Sequence, residues 1–548
     1  MERIRARYAE SYLALFCVVF ALIFIRYCCD GFRYFYQLDD YIQFHNLTVG
    51  GLDSLSDLLR AGMLADRPVA GILDVYFWSL FFDNMLLGVL LMSALYAASA
   101  LMLRWVWARH FGVGNVFLVV YALLPLGLEG VYWMSAATRI VVGLFFAAAA
   151  LLWFEKWCAG GKKYTLVLYM LLQLVACGFY EQILIFSVAS VLIVAFLHRH
   201  APGHRPLWGL FSFVSAGVYA LLMGLLPASE VYAARISLVP PTSVYYWKTY
   251  LPGVLRQVAD AFAAGGFYTT VKGFYRGAQI LAGGRNIFYI IDIAVLAALL
   301  FFSTRHGEGP LKAPGKGLIA GLLLAAAPLA IFFFISNSWL SLRGTVASYC
   351  GIALMADIAC RLIFSRLKSA GTAVAGVAAA LAVIFSVAAV SEVHDYKATT
   401  QKDQEVAAVL TGTLKKDGNL HRDLNVGILH LEPSYLDDQN YYYHEHIHGV
   451  TESDWALHGA LEWLAGPNIP DVAPLPENPM YFPWNCASRR LSNFDVLYLY
   501  DGDETMTQVL AVPAAAETYA LYEPDGTYLG YTWEEGGYGY LELGEPLP

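Results

Sequence analysis

Residues 136–154 read AATRIVVGLFFAAAALLWF, an apolar run broken only by Arg139 near its start. A bilayer core about 30 Å thick is crossed by about 20 apolar residues in a helix. Only a helix satisfies its own backbone there. The run is therefore a membrane span. Its two flanks differ. Glu155-Lys156-Trp157 follows it, with Lys162 and Lys163 close behind, whereas Glu129-Gly130-Val131-Tyr132-Trp133-Met134-Ser135 before it has no Lys or Arg.

Runs of the same kind recur outward in both directions, near 11–28, 84–103, 113–131, 164–179, 182–197, 207–226, 286–302, 317–335, 345–363 and 372–391. The chain is 58% hydrophobic and 14% charged, against about 25% charged in soluble domains. The expected fold is an α-helical polytopic membrane domain of about eleven transmembrane helices over residues 1–392. Long loops interrupt it at 29–83 and 227–285, and a soluble domain follows over 393–548.

Charge sets the expected orientation. With a cytoplasmic N-terminus, each cytoplasmic segment is basic: Arg3, Arg5 and Arg7; Arg104 and Arg109; Lys156, Lys162 and Lys163; Arg199 and Arg205; Arg305, Lys312 and Lys316; Arg361, Arg366 and Lys368. In the short opposite loops only Arg139 and Arg343 break the rule. This is the positive-inside pattern, six times over. It places both long loops and the C-terminal domain on the extracytoplasmic side of a cell membrane. The first span has a basic start, but Tyr27-Cys28-Cys29-Asp30-Gly31 is not a small-residue cleavage site, so the span reads as a retained anchor. The net charge of −9 lies mainly in the external parts, which argues against an outward nucleic-acid-binding face.

The C-terminal domain reads as a small α+β module. A helix is expected near 397–416, with strands at Val426–Leu431, Val496–Tyr500 and Val509–Val512. Pro524-Asp525-Gly526 between apolar runs marks a hairpin turn. Cys486 is its only cysteine, so no disulfide framework is expected. His444-Glu445-His446-Ile447-His448 sets three histidines on one face of a strand, but ligands so close in sequence bind one metal awkwardly, and a wet polar edge is the preferred reading. No metal-ligating residue is assigned. Asn46-Leu47-Thr48 fits a glycosylation acceptor triplet.

Chemistry concentrates in the first external loop. Leu38-Asp39-Asp40-Tyr41-Ile42-Gln43-Phe44 follows an aromatic cluster (Phe32, Tyr34, Phe35, Tyr36), and Asp53–Arg60 comes next; both stretches suit short amphipathic helices along the bilayer surface. A carboxylate at that depth can act as general base on a hydroxyl or hold a divalent cation, Mg or Mn, against a phosphate. The alternative is a helix cap, a place Asp favours.

A first helix, an external Asp-Asp with an interfacial helix, and Arg67-Pro68 before the second long span together resemble the GT-C superfamily of polytopic glycosyltransferases, most closely the bacterial glucosyltransferases that modify O-antigens. The resemblance covers residues 1–392. It implies a polyprenyl-phosphate sugar donor, a cell-envelope glycan or lipid acceptor, and Asp39 or Asp40 as catalytic base. Where the family usually has a basic residue soon after the acidic pair, this chain has Gln43.

Arg67, Arg139 and Arg343 sit at external helix ends and suit bidentate phosphate recognition; anchoring to headgroups is the alternative. Glu181, in Tyr180-Glu181-Gln182, is a candidate second carboxylate at the substrate, and Glu129 has the same standing. Lys248, Arg256, Lys272, Arg276 and Arg285 of the second long loop are further candidates for the phosphate. Asp292 and Asp357 lie near span ends, where snorkelling accounts for them. The resulting expectation is a transferase that moves a hexose from a polyprenyl phosphate to an envelope acceptor. Its rivals are a lipid-linked glycan transporter or flippase, and a non-catalytic protein that binds an envelope polymer. Nearly uncharged central spans and the lack of repeated halves weigh against transport.

Overall fold

The computed structural model describes residues 2–41, 55–60, 67–200, 204–226, 237–284, 286–304, 309–336, 338–431, 434, 449–475, 491–500, 505–535 and 538–545. His444–His448, Asn46–Thr48, Gln43, Arg285, Arg305 and Cys486 lie outside them. The chain divides into two compact units. The first holds Met1–Tyr34 and Asp53–Val393 with Tyr441–Tyr443; the second holds Phe35–Leu52, His394–Asn440 and His444–Pro548. The first long loop is thus shared out: Phe35 to Leu52 go with the C-terminal residues and not with the helices on either side of them.

The first unit is helical. A helix stands at each of the eleven expected positions. Six are long and apolar enough to cross a membrane: Trp78–Phe111, Met134–Cys158, Arg205–Leu225, Pro314–Phe333, Leu342–Phe364 and Ala370–Lys416. Five are shorter: Tyr12–Ile25, Asn115–Gly127, Lys163–Cys177, Glu181–Leu197 and Ile287–Ser303. The helix Met134–Cys158 is central, with 72% of its apolar window buried against 17% for Arg205–Leu225. Its Ala147, Ala148 and Ala150 are wholly covered. Small side chains let neighbouring helices approach closely where apolar burial from lipid drives nothing.

Two departures from the sequence reading have local causes. The expected span 372–391 and helix 397–416 are one helix, Ala370–Lys416, because Ser391–Lys397 contains no Gly or Pro to stop it. The second long loop is helical from Tyr246 to Gly284, with wider π-type turns at Tyr246–Tyr250, Asp260–Ala264 and Phe267–Lys272. Thr269, Gly273, Gly277 and Leu281, four apart, share one buried face. At Gly277 a methyl group would fall on the Val387 carbonyl. Gly277 therefore permits backbone contact with Ala370–Lys416, and Arg276 Nη1 reaches Ser391 Oγ at 3.0 Å.

Buried acids in this unit are paired as burial demands. Asp357 is fully covered and accepts from the amides of Gly114 (2.9 Å) and Phe117 (3.2 Å). It caps the helix Asn115–Leu123 from across the bundle, since the first amides of a helix have no partner of their own. Asp292 is exposed.

Among its described residues the second unit has a sheet of seven strands in the order β2-β1-β3-β4-β5-β6-β7. The strands are β1 (Asn425–Leu429), β2 (Asp471–Leu475), β3 (Val496–Tyr500), β4 (Met506–Ala515), β5 (Thr518–Tyr522), β6 (Tyr528–Glu535) and β7 (Tyr538–Leu543). Strand β1 is parallel to β2 and β3, and the rest are antiparallel. A parallel central strand has both faces covered, and Val426 to Leu429 are all buried. The β1–β2 crossover carries the helix Asp454–Ala465, where the Ser453 side chain accepts from the Ala456 amide at 3.3 Å. That is ordinary N-capping. Leu429, Leu497, Leu499, Val509, Leu521 and Leu541 form the sheet's core. The expected hairpin joins β5 to β6, where the Thr527 amide donates to Asp525 Oδ1 at 2.9 Å. The helix Asp454–Ala465 and strands β2 and β7 were not anticipated, because their runs are short and shared between apolar and polar residues.

Candidate functional site

The acidic pair lies in the second unit. Residues Gln37-Leu38-Asp39-Asp40 form a turn in which the Asp40 amide donates to Gln37 O at 2.7 Å and the Gln37 amide donates to Asp40 Oδ2 at 2.9 Å. The acid reaches back to the amide three residues before it, as in one half of a capping box. Asp40 is completely buried. Asp39 is half-buried and accepts from the Trp455 indole Nε1 at 3.4 Å. The two neighbours therefore differ: Asp40 shapes the turn, and Asp39 keeps an accessible carboxylate.

The turn is held on every side within its unit. Thr400 Oγ1 donates to Tyr36 O at 2.8 Å, and Gln37 Nε2 donates to Tyr36 O at 2.8 Å and Tyr396 O at 3.3 Å. The Trp463 ring lies 4.9 Å from Tyr36 and 6.1 Å from Tyr41. Burial, aided by the Asp403 and Asp40 charges, pushes the Tyr41 phenol well above its usual range, so Tyr41 stays neutral. Asp403 Oδ1 accepts from the Val450 amide at 2.9 Å and from Ser434 Oγ. The stretch 35–41 is thus a packed part of this unit, helical from Asp40 on, and residues 42–44 of the expected amphipathic helix lie outside the described residues.

The predicted arginines lie in the first unit, each against an acid. Arg343 Nη1 is 2.8 Å from Glu129 Oε1, Arg139 Nη2 is 2.8 Å from Asp74 Oδ2, and Arg67 Nη2 is 3.5 Å from Glu181 Oε2. All three arginine side chains are 25% exposed, whereas Glu129 is 1% and Asp74 7% exposed. Arg67 stacks on Tyr180 at 4.5 Å, and Arg343 lies 5.2 Å from Trp133 and 5.8 Å from Trp339.

Further bonds join the pairs to one another. The Val69 amide donates to Gly178 O at 3.0 Å, which fastens the helix Pro68–Tyr76 to the turn before Glu181. Gln182 Nε2 donates to Gly344 O at 2.8 Å, beside Arg343. Trp133, against Arg343, immediately precedes the helix that carries Arg139. The starts of Pro68–Tyr76, Met134–Cys158 and Glu181–Leu197 and the segment Leu342–Ser348 therefore gather three cations, three acids and three aromatic rings at one end of the unit. Arginine forks in such a place suit a phosphate.

Sequence reasoning missed one member of this group, Asp74, and a buried cation elsewhere in the same unit, Arg26. Asp74 sits in the apolar stretch Gly71–Phe77, and a lone acid there was the available signal. Burial raises its carboxyl above the usual carboxylate range, against the pull of Arg139 and Arg67. Arg26 lay inside the first apolar run and was passed over as span. It is fully buried, donates from Nη2 to the Tyr27 hydroxyl at 2.6 Å, and has no hydrogen-bond partner for Nε and Nη1 among the described residues. The Tyr27 ring packs 4.9 Å from Tyr132, next to Trp133.

The described basic residues of the second long loop have different surroundings. Lys248 and Arg256 are exposed, Lys272 lies over Tyr268 at 4.4 Å, and Arg276 bonds Ser391. Among the described residues, one group has ligand atoms close enough for a metal: His110, Glu155 and His198, at the other ends of their helices. Comparisons with family models, with curated proteins and with solved structures each gave no match.

Proposed function

We propose that this chain is a polytopic membrane glycosyltransferase of the GT-C type, crossing the bilayer eleven times with a cytoplasmic N-terminus and an extracytoplasmic C-terminal unit. It moves a sugar from a polyprenyl-phosphate donor to a cell-envelope glycan or lipid. The observation that carries the reading is the set of Arg67, Arg139 and Arg343, each three-quarters covered and held by an acid at one end of the helical unit. Fixed, partly desolvated guanidinium groups suit a phosphate leaving group whose charge grows in the transition state.

In the proposed step an acceptor hydroxyl oxygen bonds to the anomeric carbon as the bond from that carbon to the phosphate oxygen breaks. Asp39 takes the hydroxyl proton, and polyprenyl phosphate departs with the electron pair. Asp40 is a positioning residue that keeps Asp39 in its turn. A divalent cation, Mg or Mn, would assist the leaving phosphate.

The test is mass spectrometry of envelope glycans from a deletion strain carrying the wild-type chain, Asp39→Asn or Arg343→Lys. The expected result is a glycan modification restored by wild type and lost in both variants at equal membrane abundance. Full restoration by Asp39→Asn would exclude Asp39 as the base.

A further inference from the structure

We propose that His110, Glu155 and His198 form a binding site for one divalent metal ion of the zinc class, at the end of the helical unit opposite the arginines. His110 Nε2 and His198 Nε2 lie 2.9 and 2.8 Å from the same Glu155 oxygen, Oε2. Their rings stand edge to face, 84° apart, with centroids 5.1 Å apart. One ligand atom from each residue falls within 4.8 Å of the other two. Glu155 is 1% exposed, and the histidines are 14% and 18% exposed. The site is therefore shielded by protein while both imidazoles keep a way in for an ion.

The donor set is chemically specific. Two imidazoles and one carboxylate are the protein ligands of open zinc centres, with bonds of about 2.0–2.2 Å. Tetrahedral angles at that length set ligand atoms about 3.4 Å apart. The present spacings of 2.8 and 2.9 Å need to open by about 0.5 Å to reach that value. A small swing of the Glu155 carboxylate supplies this. Coordination uses the Nε2 lone pair, so a proton on either Nε2 must move to Nδ1 or to solvent.

A second observation points to a cation independently of the donor set. His110 lies one residue from the end of Met85–Phe111, Glu155 in the last turn of Met134–Cys158, and His198 directly after Glu181–Leu197. Three helix C-termini therefore converge here, each with the negative end of its dipole. Arg109 Nε lies 3.3 Å from the other carboxylate oxygen, Oε1. This ion pair engages Oε1 and leaves Oε2 for the ion, as partners behind a metal ligand do.

The test uses the full-length protein in detergent with His444, His446 and His448 replaced by Ala, so that those residues cannot bind metal. It is stripped with chelator and titrated with Co²⁺ and with Zn²⁺. The expected result is one equivalent of Co²⁺ with the visible absorption of a nitrogen- and oxygen-ligated ion, displaced by Zn²⁺. Affinity should fall at least tenfold in His110→Asn and His198→Gln, and stoichiometric binding should vanish in the double variant. Zn²⁺ should also raise the unfolding temperature of the parent but not of His198→Gln, since an ion that binds only the folded state stabilises it. Binding or thermal stabilisation that is the same in parent and double variant overturns the proposal, as does a parent that binds no ion; the three side chains are then a hydrogen-bonded brace only.

Discussion

Arg343 and Glu129, 214 positions apart in the chain, meet at 2.8 Å with the carboxylate 1% exposed. The pair ties the segment Leu342–Ser348 to the short helix Glu129–Tyr132. Burying a carboxylate is tolerable only with a partner, so each residue constrains what the other can become.

Replacing Arg343 should therefore act on stability and on transfer in separable ways. Arg343→Ala leaves Glu129 buried and unpaired, with an expected loss of about 3 kcal/mol. Arg343→Lys keeps the charge but loses the fork, so it should leave the unfolding temperature near wild type and cut transfer at least tenfold. Thermal unfolding in detergent and glycan mass spectrometry read the two effects.

The two acids of the first loop should differ in the same pair of assays. Asp39→Asn removes the base and should lower transfer at least about a hundredfold with little change in unfolding temperature. Asp40→Ala removes the bond to the Gln37 amide and should cost about 1–2 kcal/mol of stability. Equal loss of transfer in a well-folded Asp40→Ala would assign Asp40 a direct part.

Gly277 is predicted to tolerate no side chain. A methyl there meets the Val387 carbonyl, while Gly266 in the same helical stretch has nothing within 4 Å. Gly277→Ala should destabilise by about 1–3 kcal/mol through overpacking. Gly266→Ala should be neutral or slightly stabilising, by up to about 1 kcal/mol. An equal response in both variants would remove the close contact as the cause.

Asp74 should leave a signature in the dependence of stability on pH. It lies in Pro68–Tyr76, outside the spanning segments, and burial raises its pKa above 3.8. A raised value means that the folded chain holds the proton more tightly than the unfolded chain. The associated stability is complete below 3.8 and is lost as pH rises through the folded value. Asp74→Asn cannot titrate, so its unfolding temperature should fall less than that of wild type as pH rises out of the acid range. Parallel profiles for the two proteins would contradict the shift.

Much of the architecture was legible because it depends on local composition. A run such as 136–154 has one stable conformation in hydrocarbon, and its apolar length is visible without any partner. The same holds for β1, β3 and the turn at Pro524-Asp525-Gly526, whose residue types are sufficient signals. The helical second loop was hidden because its π-type turns shift the apolar period away from 3.6, and its glycines resemble loop residues until Val387 is seen against Gly277.

The candidate site divides along the same line. Sequence by itself determined which residues bear unusual charge for their surroundings: Asp39, Asp40, Arg67, Arg139, Glu181 and Arg343 all stood out beside apolar neighbours. Only the tertiary structure decided what each charge meets. It separated buried Asp40 from half-buried Asp39, matched each arginine to its acid, added Asp74, and drew His110, Glu155 and His198 from three helices to one point. The reason is physical: hydrophobic length is a property of consecutive residues, whereas pairing and desolvation belong to side chains brought together from distant parts of the chain.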